Sequence, residues 1–159
     1  MAEEKSQPKW EGSSTAEIRP FTAAQVWPLL ADDFCSLHKW LPGIDTCRWV
    51  EGTPGQPGLT RYCADSSTSK WANEKLIAID AQEMCYSYEV TDNNIGFRSY
   101  VATIRVSPLT EGAGCKVEWS FTVEPVEEWK LEDMRAFIES GLHGMARNLE
   151  TALKSQETA

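Results

Sequence analysis

The chain has 159 residues, of which 42% are hydrophobic and 25% are charged, and its formal net charge is −9. This length and composition predict one globular domain that needs neither disulfides nor a metal ion for its core. The negative charge argues against nucleic acid and against an anionic membrane surface as partners, because both require clustered Lys and Arg side chains.

Neither a secretion signal nor an apolar stretch of membrane-spanning length is found in the sequence. We therefore expect a cytoplasmic protein. We also expect it to be a monomer and to need no cofactor. We expect its domain to cover residues 9–154, with flexible termini at residues 1–8 and 155–159. Five cysteines form no C-x-x-C pair and are expected to be free thiols without a metal ion, namely Cys35, Cys47, Cys63, Cys85 and Cys115.

The first third of the chain predicts one strand and two short helices. Apolar or small residues alternate with polar ones over residues 10–18, as in a half-buried strand. Thr22 can cap a helix, with Gln25 as its capping-box partner. Pro28 removes a backbone donor and should keep this helix short. A second short helix is predicted to begin at Asp33.

The remainder of the chain predicts an antiparallel sheet followed by a long helix. Alternating segments separated by turn residues indicate six strands, at residues 44–51, 59–64, 71–80, 84–90, 97–106 and 115–124. An amphipathic helix from about residue 130 to about residue 153 is predicted by Leu131, Met134, Ile138, Leu142, Met145, Leu149 and Leu153. A sheet with one apolar face needs a cover, and this helix is the element large enough to supply it. The fold class is therefore α+β, with a seven-stranded sheet around the long helix.

Glu74 is the first candidate for chemistry, because it falls among apolar residues. Counting by twos along its strand, it shares a face with Ala72, Leu76 and Ala78. A carboxylate in this setting either lies at the edge of the strand or points into a cavity.

Arg61 is the second candidate, and it shares a strand face with Leu59 and Cys63. An arginine and a glutamate on apolar faces of adjacent strands need each other or a ligand as a partner, because an unpaired buried charge is costly. The pair of Arg61 and Glu74 is therefore either a structural ion pair or part of a site.

Four aromatic residues lie on predicted strand faces that alternate with polar residues. They could pack in a core or line a cavity, where a tyrosine hydroxyl also offers a hydrogen bond. These residues are Tyr86, Tyr88, Tyr100 and Trp119. Gly141 and Gly144 lie inside the long helix, where each costs up to about 1 kcal/mol relative to Ala. They indicate a close approach of another segment, a cavity beneath the helix or a bend.

Several short segments also occur together in one known family, in the same order and with similar spacing. They include Leu41-Pro42, Val50-Glu51-Gly52, Arg61-Tyr62, Trp71-Ala72, Glu74-Lys75-Leu76, Tyr86-Ser87-Tyr88 and Trp119-Ser120-Phe121. In this set the chain resembles the plant lachrymatory factor synthases from about residue 10 to the final helix. These synthases belong to the helix-grip (Bet v 1/START-like) superfamily of polyketide cyclase/dehydrase and lipid transport proteins. The resemblance implies an internal cavity between the sheet and the long helix.

The resemblance also implies a reaction in which an unstable alkenyl sulfenic acid becomes a thial S-oxide. Glu74 would take the S–OH proton and return it to carbon, while Arg61 would stabilise charge on the sulfinyl oxygen. A small hydrophobic or amphipathic ligand would be held by residues expected to line the cavity, namely Tyr88, Tyr100, Trp119, Leu142 and Met145.

Two other functions stay open beside this isomerase. One is a non-catalytic carrier of a hydrophobic plant metabolite or lipid, which needs only the cavity. The other is a regulator like the abscisic-acid receptors of the same superfamily. The sequence disfavours the regulator, because Asp45 stands near the position of the receptors' ligand-binding lysine and residues 65–69 replace their gate loop.

Overall fold

Seven strands form one antiparallel sheet in the computed structural model, which describes residues 8–158. The strands are β1 (Trp10–Ile18), β2 (Thr46–Glu51), β3 (Thr60–Asp65), β4 (Lys70–Asp80), β5 (Cys85–Asn93), β6 (Val101–Pro108) and β7 (Cys115–Val123). Their order across the sheet is β1-β7-β6-β5-β4-β3-β2. Consecutive strands pair as hairpins from β2 to β7, and β1 joins beside β7.

Three helices accompany the sheet: α1 (Ala23–Ala31), a 3-10 helix (Phe34–Lys39) and α2 (Leu131–Thr158). The predicted capping box at the start of α1 is present. The Thr22 hydroxyl accepts a hydrogen bond from the Gln25 amide at 3.2 Å, and the Gln25 side chain accepts one from the Thr22 amide at 2.8 Å. Pro28 lies inside α1, which has only nine residues. Helix α1 therefore begins directly after its predicted cap, Thr22. The 3-10 helix begins at Phe34, one residue after the predicted start, and the side chain of Asp33 forms no capping hydrogen bond.

Helix α2 packs against β1 and β7 and buries one apolar stripe. The residues of this stripe are at most 4% exposed and are Met134, Ile138, Leu142, Met145, Leu149 and Leu153. The curved antiparallel sheet with its long C-terminal helix confirms the predicted α+β helix-grip architecture. Within residues 8–158, the structure has no helix long and apolar enough to cross a membrane.

The end of α2 differs from the prediction. The helix continues to Thr158 instead of stopping near residue 153, because residues 154–157 contain neither glycine nor proline to end it. The predicted flexibility of the termini falls largely on residues 1–7 and 159, which lie outside the described part of the chain.

Gly141 and Gly144 let the loop after the 3-10 helix approach α2. A Cβ atom added at Gly144 would lie 2.3 Å from Cγ of Pro42, and one at Gly141 would lie 3.3 Å from Cδ1 of Leu41. Of the three explanations for these glycines, close approach of another segment is the one observed.

A β-bulge changes the face on which Ala78 lies. Leu76 pairs with Tyr88, but Ala78 pairs with Ser87, so the register shifts between the two positions. Ala78 is consequently exposed, and the prediction that it shares a face with Glu74 is wrong. Alternation by twos fails here because a bulge inserts one unpaired residue.

Strand β6 begins later than predicted, and residues 97–100 belong to the β5–β6 loop. The Asn93 side chain organises this loop, since its Oδ1 accepts hydrogen bonds from the amides of Ile95, Gly96 and Phe97 at 2.9–3.0 Å. Ser99 has a φ of 56°, which takes the chain out of the extended conformation. The loop thereby carries Phe97 and Tyr100 to the site described next.

Candidate functional site

A cavity of ≈ 270 Å³ lies between the inner face of the sheet and the loops at one end of it. The wall formed by the strands and the loop before β6 consists of Cys63, Ala72, Glu74, Tyr88, Tyr100 and Trp119. The rest of the lining includes Leu37, Leu41, Ile44, Trp71, Ile95, Phe97, Trp129 and Phe137. Most of these side chains are apolar, so the cavity suits a ligand that is largely hydrophobic.

Glu74 brings a negative charge to this apolar wall and is paired with Arg61. The two residues face each other directly in the register of β3 and β4. Nε and Nη2 of Arg61 lie 2.8 and 2.7 Å from the same carboxylate oxygen, Oε1 of Glu74. The Arg61 side chain is 1% exposed and that of Glu74 is 14% exposed. The second oxygen, Oε2, stays outside this ion pair.

Arg61 is held from several sides. Its Nη1 donates a hydrogen bond of 2.9 Å to the backbone carbonyl of Phe34. Its guanidinium carbon lies 3.9 Å from the ring centroid of Phe34 and 4.8 Å from that of Tyr88. Burial acts to lower the pKa of Arg61, but the nearby Glu74 carboxylate opposes it and the pKa lies well above its ordinary value. Arg61 is therefore a permanently charged, fixed support for Glu74.

Tyr88, Tyr100 and Trp119 lie next to one another in the cavity wall. Nε1 of Trp119 donates a hydrogen bond to the Tyr100 hydroxyl oxygen at 3.3 Å, and the ring centroids of Tyr88 and Tyr100 are 6.1 Å apart. Burial is the main cause that raises the pKa of both tyrosines, so both are neutral at ordinary pH. Because the Tyr100 oxygen accepts the hydrogen bond from Trp119, its own proton is available to a ligand.

The mouth of the cavity carries polar groups beside two aromatic rings. Asp65, Thr68 and Lys70 come from β3, β4 and the turn between them. Trp129 and Phe137 form an edge-to-face pair with centroids 5.7 Å apart, although Phe137 is 52% exposed. A ligand would thus pass from a polar rim to an apolar interior.

The structure brings together only some of the predicted site residues. Glu74, Tyr88, Tyr100 and Trp119 lie in the cavity wall. Arg61 does not line the cavity, contrary to expectation, because Glu74, Phe34 and Tyr88 enclose it.

Leu142 and Met145 belong to the buried apolar stripe of α2, but they do not line the cavity either. Leu41 and Trp119 pack on the helix at Gly141 and separate this part of α2 from the cavity. The predicted contribution of the helix is therefore corrected: its lining residue is Phe137.

Sequence reasoning missed Cys63 and the residues of the mouth. Cys63 carried a usable signal, since it alternates with Arg61 on the strand face already identified. The sequence signal for Trp129 and Phe137 is weaker: they are large aromatic residues outside the apolar stripe of α2, so packing under the helix does not account for them. Metal binding has no support in residues 8–158, where no three His, Cys, Asp or Glu side chains cluster suitably.

A wider groove of ≈ 750 Å³ lies elsewhere, along β1, β6 and β7. Its lining includes Glu11, Ser13, Glu118 and Arg135, which are exposed or half-buried. Arg135 donates to the Glu11 carbonyl oxygen at 3.1 Å. The groove has no buried ionisable pair, so the smaller cavity is the better candidate for a ligand site.

A curved antiparallel sheet around a long helix, with a cavity and a buried ion pair, defines a helix-grip domain of the ligand-cavity class. A family model described as polyketide cyclase/dehydrase and lipid transport matches residues 9–154. The chain belongs to this family.

Individual relatives support the family and the fold. MLP-like protein 34 of Arabidopsis thaliana is 31% identical in an alignment of 98 residues, with coverage of 58% of this chain and 31% of that protein. The match thus spans about a third of the length of that curated relative. The structure of XoxI from Bacillus cereus is similar with a TM-score of 0.75 and 28% identity, covering 92% of this chain and 97% of the other. Ginseng major latex-like protein 151 from Panax ginseng has the same fold, with a TM-score of 0.75, 19% identity and coverage of 91% and 97%.

Proposed function

We propose that this protein binds a small amphipathic molecule in the cavity, with its polar end at Glu74 and Tyr100. The observation that carries the proposal is a half-buried carboxylate in an otherwise apolar wall, with one oxygen outside its ion pair. Membership of a lipid transport family supports a hydrophobic ligand. The apolar part of the ligand would lie against Trp119 and Phe97.

The size and chemistry of the cavity narrow the class of ligand. A volume of ≈ 270 Å³ is just below the usual range of about 300–1,000 Å³ for small-molecule sites, so the ligand is small. Glu74 can accept a hydrogen bond and Tyr100 can donate one. A hydroxyl group satisfies both, whereas a carboxylate would meet the negative charge of Glu74.

A series of straight-chain alcohols tests this proposal. Binding can be followed by the fluorescence of Trp71, Trp119 and Trp129, which line the cavity. The binding free energy should improve by up to about 0.8 kcal/mol for each added CH₂ until the cavity is full, and then level off.

Two alanines of β4 provide a matched pair of variants. Ala72→Phe should fill the cavity and weaken binding, whereas Ala78→Phe adds the same ring on the exposed face and should not. Equal binding by both variants, or affinity that rises with chain length without limit, would show that the alcohols bind elsewhere on the surface.

Isomerisation of an alkenyl sulfenic acid is a second candidate, favoured by the free Oε2 of Glu74. Glu74 would accept the S–OH proton and deliver it to the alkenyl carbon, so that the double bond moves and a thial S-oxide forms. Atoms and charge balance without another reactant. Arg61 lies outside the cavity and would act as a positioning residue that holds the carboxylate.

The isomerase is tested by supplying freshly generated alkenyl sulfenic acid and measuring thial S-oxide. Glu74→Gln should abolish product formation. Arg61→Lys keeps the charge but not the forked geometry, and should lower kcat with little change in KM. If the wild type gives no product but binds alcohols as above, the protein is a carrier and not an enzyme of this type.

A further inference from the structure

Cys47 and Cys63 form a pair of thiols next to the cavity. They occupy directly opposite positions in the register of β2 and β3. Their Sγ atoms are 3.3 Å apart, and both residues are buried as free thiols. A disulfide bond is about 2.0 Å long, so the sulfurs need to approach by little more than about 1 Å to form one.

Only one of these two residues lines the cavity. Cys63 is part of the cavity wall, whereas Cys47, its cross-strand neighbour, is not. Both residues are at most 8% exposed to solvent. A reagent would therefore meet Cys63 first, by way of the cavity, and Cys47 is placed to react with whatever forms there.

The charges around the pair favour a reactive thiolate. The hydrogen bond from Cys63, followed by the charge of Arg61, lowers the pKa of Cys47 to about 6. The hydrogen bond to Cys47 and burial raise the pKa of Cys63 well above its usual value. The negative charge of the pair therefore lies on Cys47. Across the 3.3 Å between the sulfurs, Cys47 is placed to accept the Cys63 proton as Cys63 attacks an oxidant.

We propose that Cys63 and Cys47 form a redox-active dithiol site, which an amphipathic organic hydroperoxide entering the cavity oxidises to an internal disulfide. The apolar walls would concentrate such a molecule beside Cys63. The inference rests on the proposed function only in requiring that the cavity admit an amphipathic molecule.

The reaction consumes one hydroperoxide and two thiols. Cys63 gives its proton to the Cys47 thiolate and attacks the terminal oxygen, the O–O bond breaks, and the alkoxide takes that proton from Cys47 and leaves as an alcohol. Cys63 is then a sulfenic acid. The Cys47 thiolate attacks its sulfur, the S–S bond forms, and hydroxide leaves and is protonated to water. The hydroperoxide is reduced by two electrons and the dithiol is oxidised by two.

The test exposes the reduced, full-length protein to cumene hydroperoxide and maps its disulfides by mass spectrometry of peptides. We expect one product, a Cys47–Cys63 disulfide that dithiothreitol reverses. Cys63→Ser and Cys47→Ala should each prevent it, while Cys85→Ser, on β5, should not. A wild-type protein that forms no such disulfide, or that joins other cysteines equally, would overturn the proposal without a variant being needed.

The role of the cavity is tested by comparing cumene hydroperoxide with hydrogen peroxide. Each rate is divided by the rate with free cysteine, which removes the intrinsic reactivity of the oxidant. We expect cumene hydroperoxide to be favoured at least about tenfold, because its apolar group gains free energy on burial. An equal ratio would overturn oxidation through the cavity. Normal alcohol binding with no disulfide would contradict this inference and leave the proposed function intact.

Discussion

Replacing Arg61 by methionine should destabilise the protein strongly, because it leaves Glu74 half-buried without a counter-charge. Removal of one partner from a buried ion pair costs about 3–5 kcal/mol. Glu74 is 14% exposed and can recover some hydration, which places the loss near the lower end. The Phe34 carbonyl also loses its hydrogen bond from Nη1, at a cost of about 1 kcal/mol. We expect a total loss of about 4 kcal/mol, a large part of the roughly 5–15 kcal/mol of a typical domain.

The double variant Arg61→Met/Glu74→Gln separates the ion pair from the packing of Arg61. With both charges removed, no buried charge is left uncompensated, so the double variant should be more stable than Arg61→Met alone. A double-mutant cycle compares the wild type, the two single variants and the double variant by urea unfolding. We expect it to give a coupling free energy of about 2–3 kcal/mol between Arg61 and Glu74.

Arg105 and Glu83 provide a matched control for this cycle. They also form an ion pair, at 3.8 Å, but their side chains are 43% and 65% exposed. The same cycle there should give about 0.5 kcal/mol or less. Similar coupling in the two cycles, or a double variant no more stable than Arg61→Met, would refute the inference that the Arg61–Glu74 pair is desolvated.

Four further substitutions have defined outcomes. Burial raises the pKa of Tyr100, so the folded protein retains a proton that the unfolded chain loses above about pH 10. Stability should therefore fall as pH rises beyond that value, and Tyr100→Phe should reduce the fall in alkaline urea titrations. Gly144→Ala should lower the free energy of unfolding by about 1–3 kcal/mol, because its Cβ would meet Pro42 at 2.3 Å. Gly141→Ala, with more room, should cost less in the same assay. Thr22→Ala removes the cap of α1 and should cost about 1 kcal/mol by thermal or urea unfolding.

The fold could be predicted because each level of the sequence indicates the same arrangement. Alternation over residues 115–124 and three- and four-residue spacing after Leu131 identify the last strand and the long helix, and the Thr22 capping box gives the start of α1. The predictions that are wrong concern places where a bulge or a loop interrupts the alternation of a strand. The bulge before Ala78 reverses its face, and the Asn93-centred loop delays β6.

The site could be predicted less completely, because periodicity indicates which face a residue occupies but not what stands in front of it. Arg61 was placed on the correct face, yet aromatic rings and Glu74 separate it from the cavity. Leu142 was correctly predicted to be buried, but Leu41 and Trp119 lie between that part of α2 and the cavity. Whether a side chain on the inner face reaches the cavity depends on which loop residues cover it, and the alternation of a strand does not encode loop conformation.

A structure from crystals of the protein grown with excess octanol would most directly test the central claim, which is that the cavity binds an amphipathic molecule with its polar end at Glu74. We predict octanol in the cavity, with its hydroxyl within about 2.7–3.0 Å of the Glu74 carboxylate and its chain against Trp119 and Phe97. The account would be contradicted if octanol occupied the groove along β1 and β7 while the cavity held only water. It would also be contradicted if octanol lay in the cavity with its hydroxyl at Asp65 and Lys70 and its methyl end at Glu74.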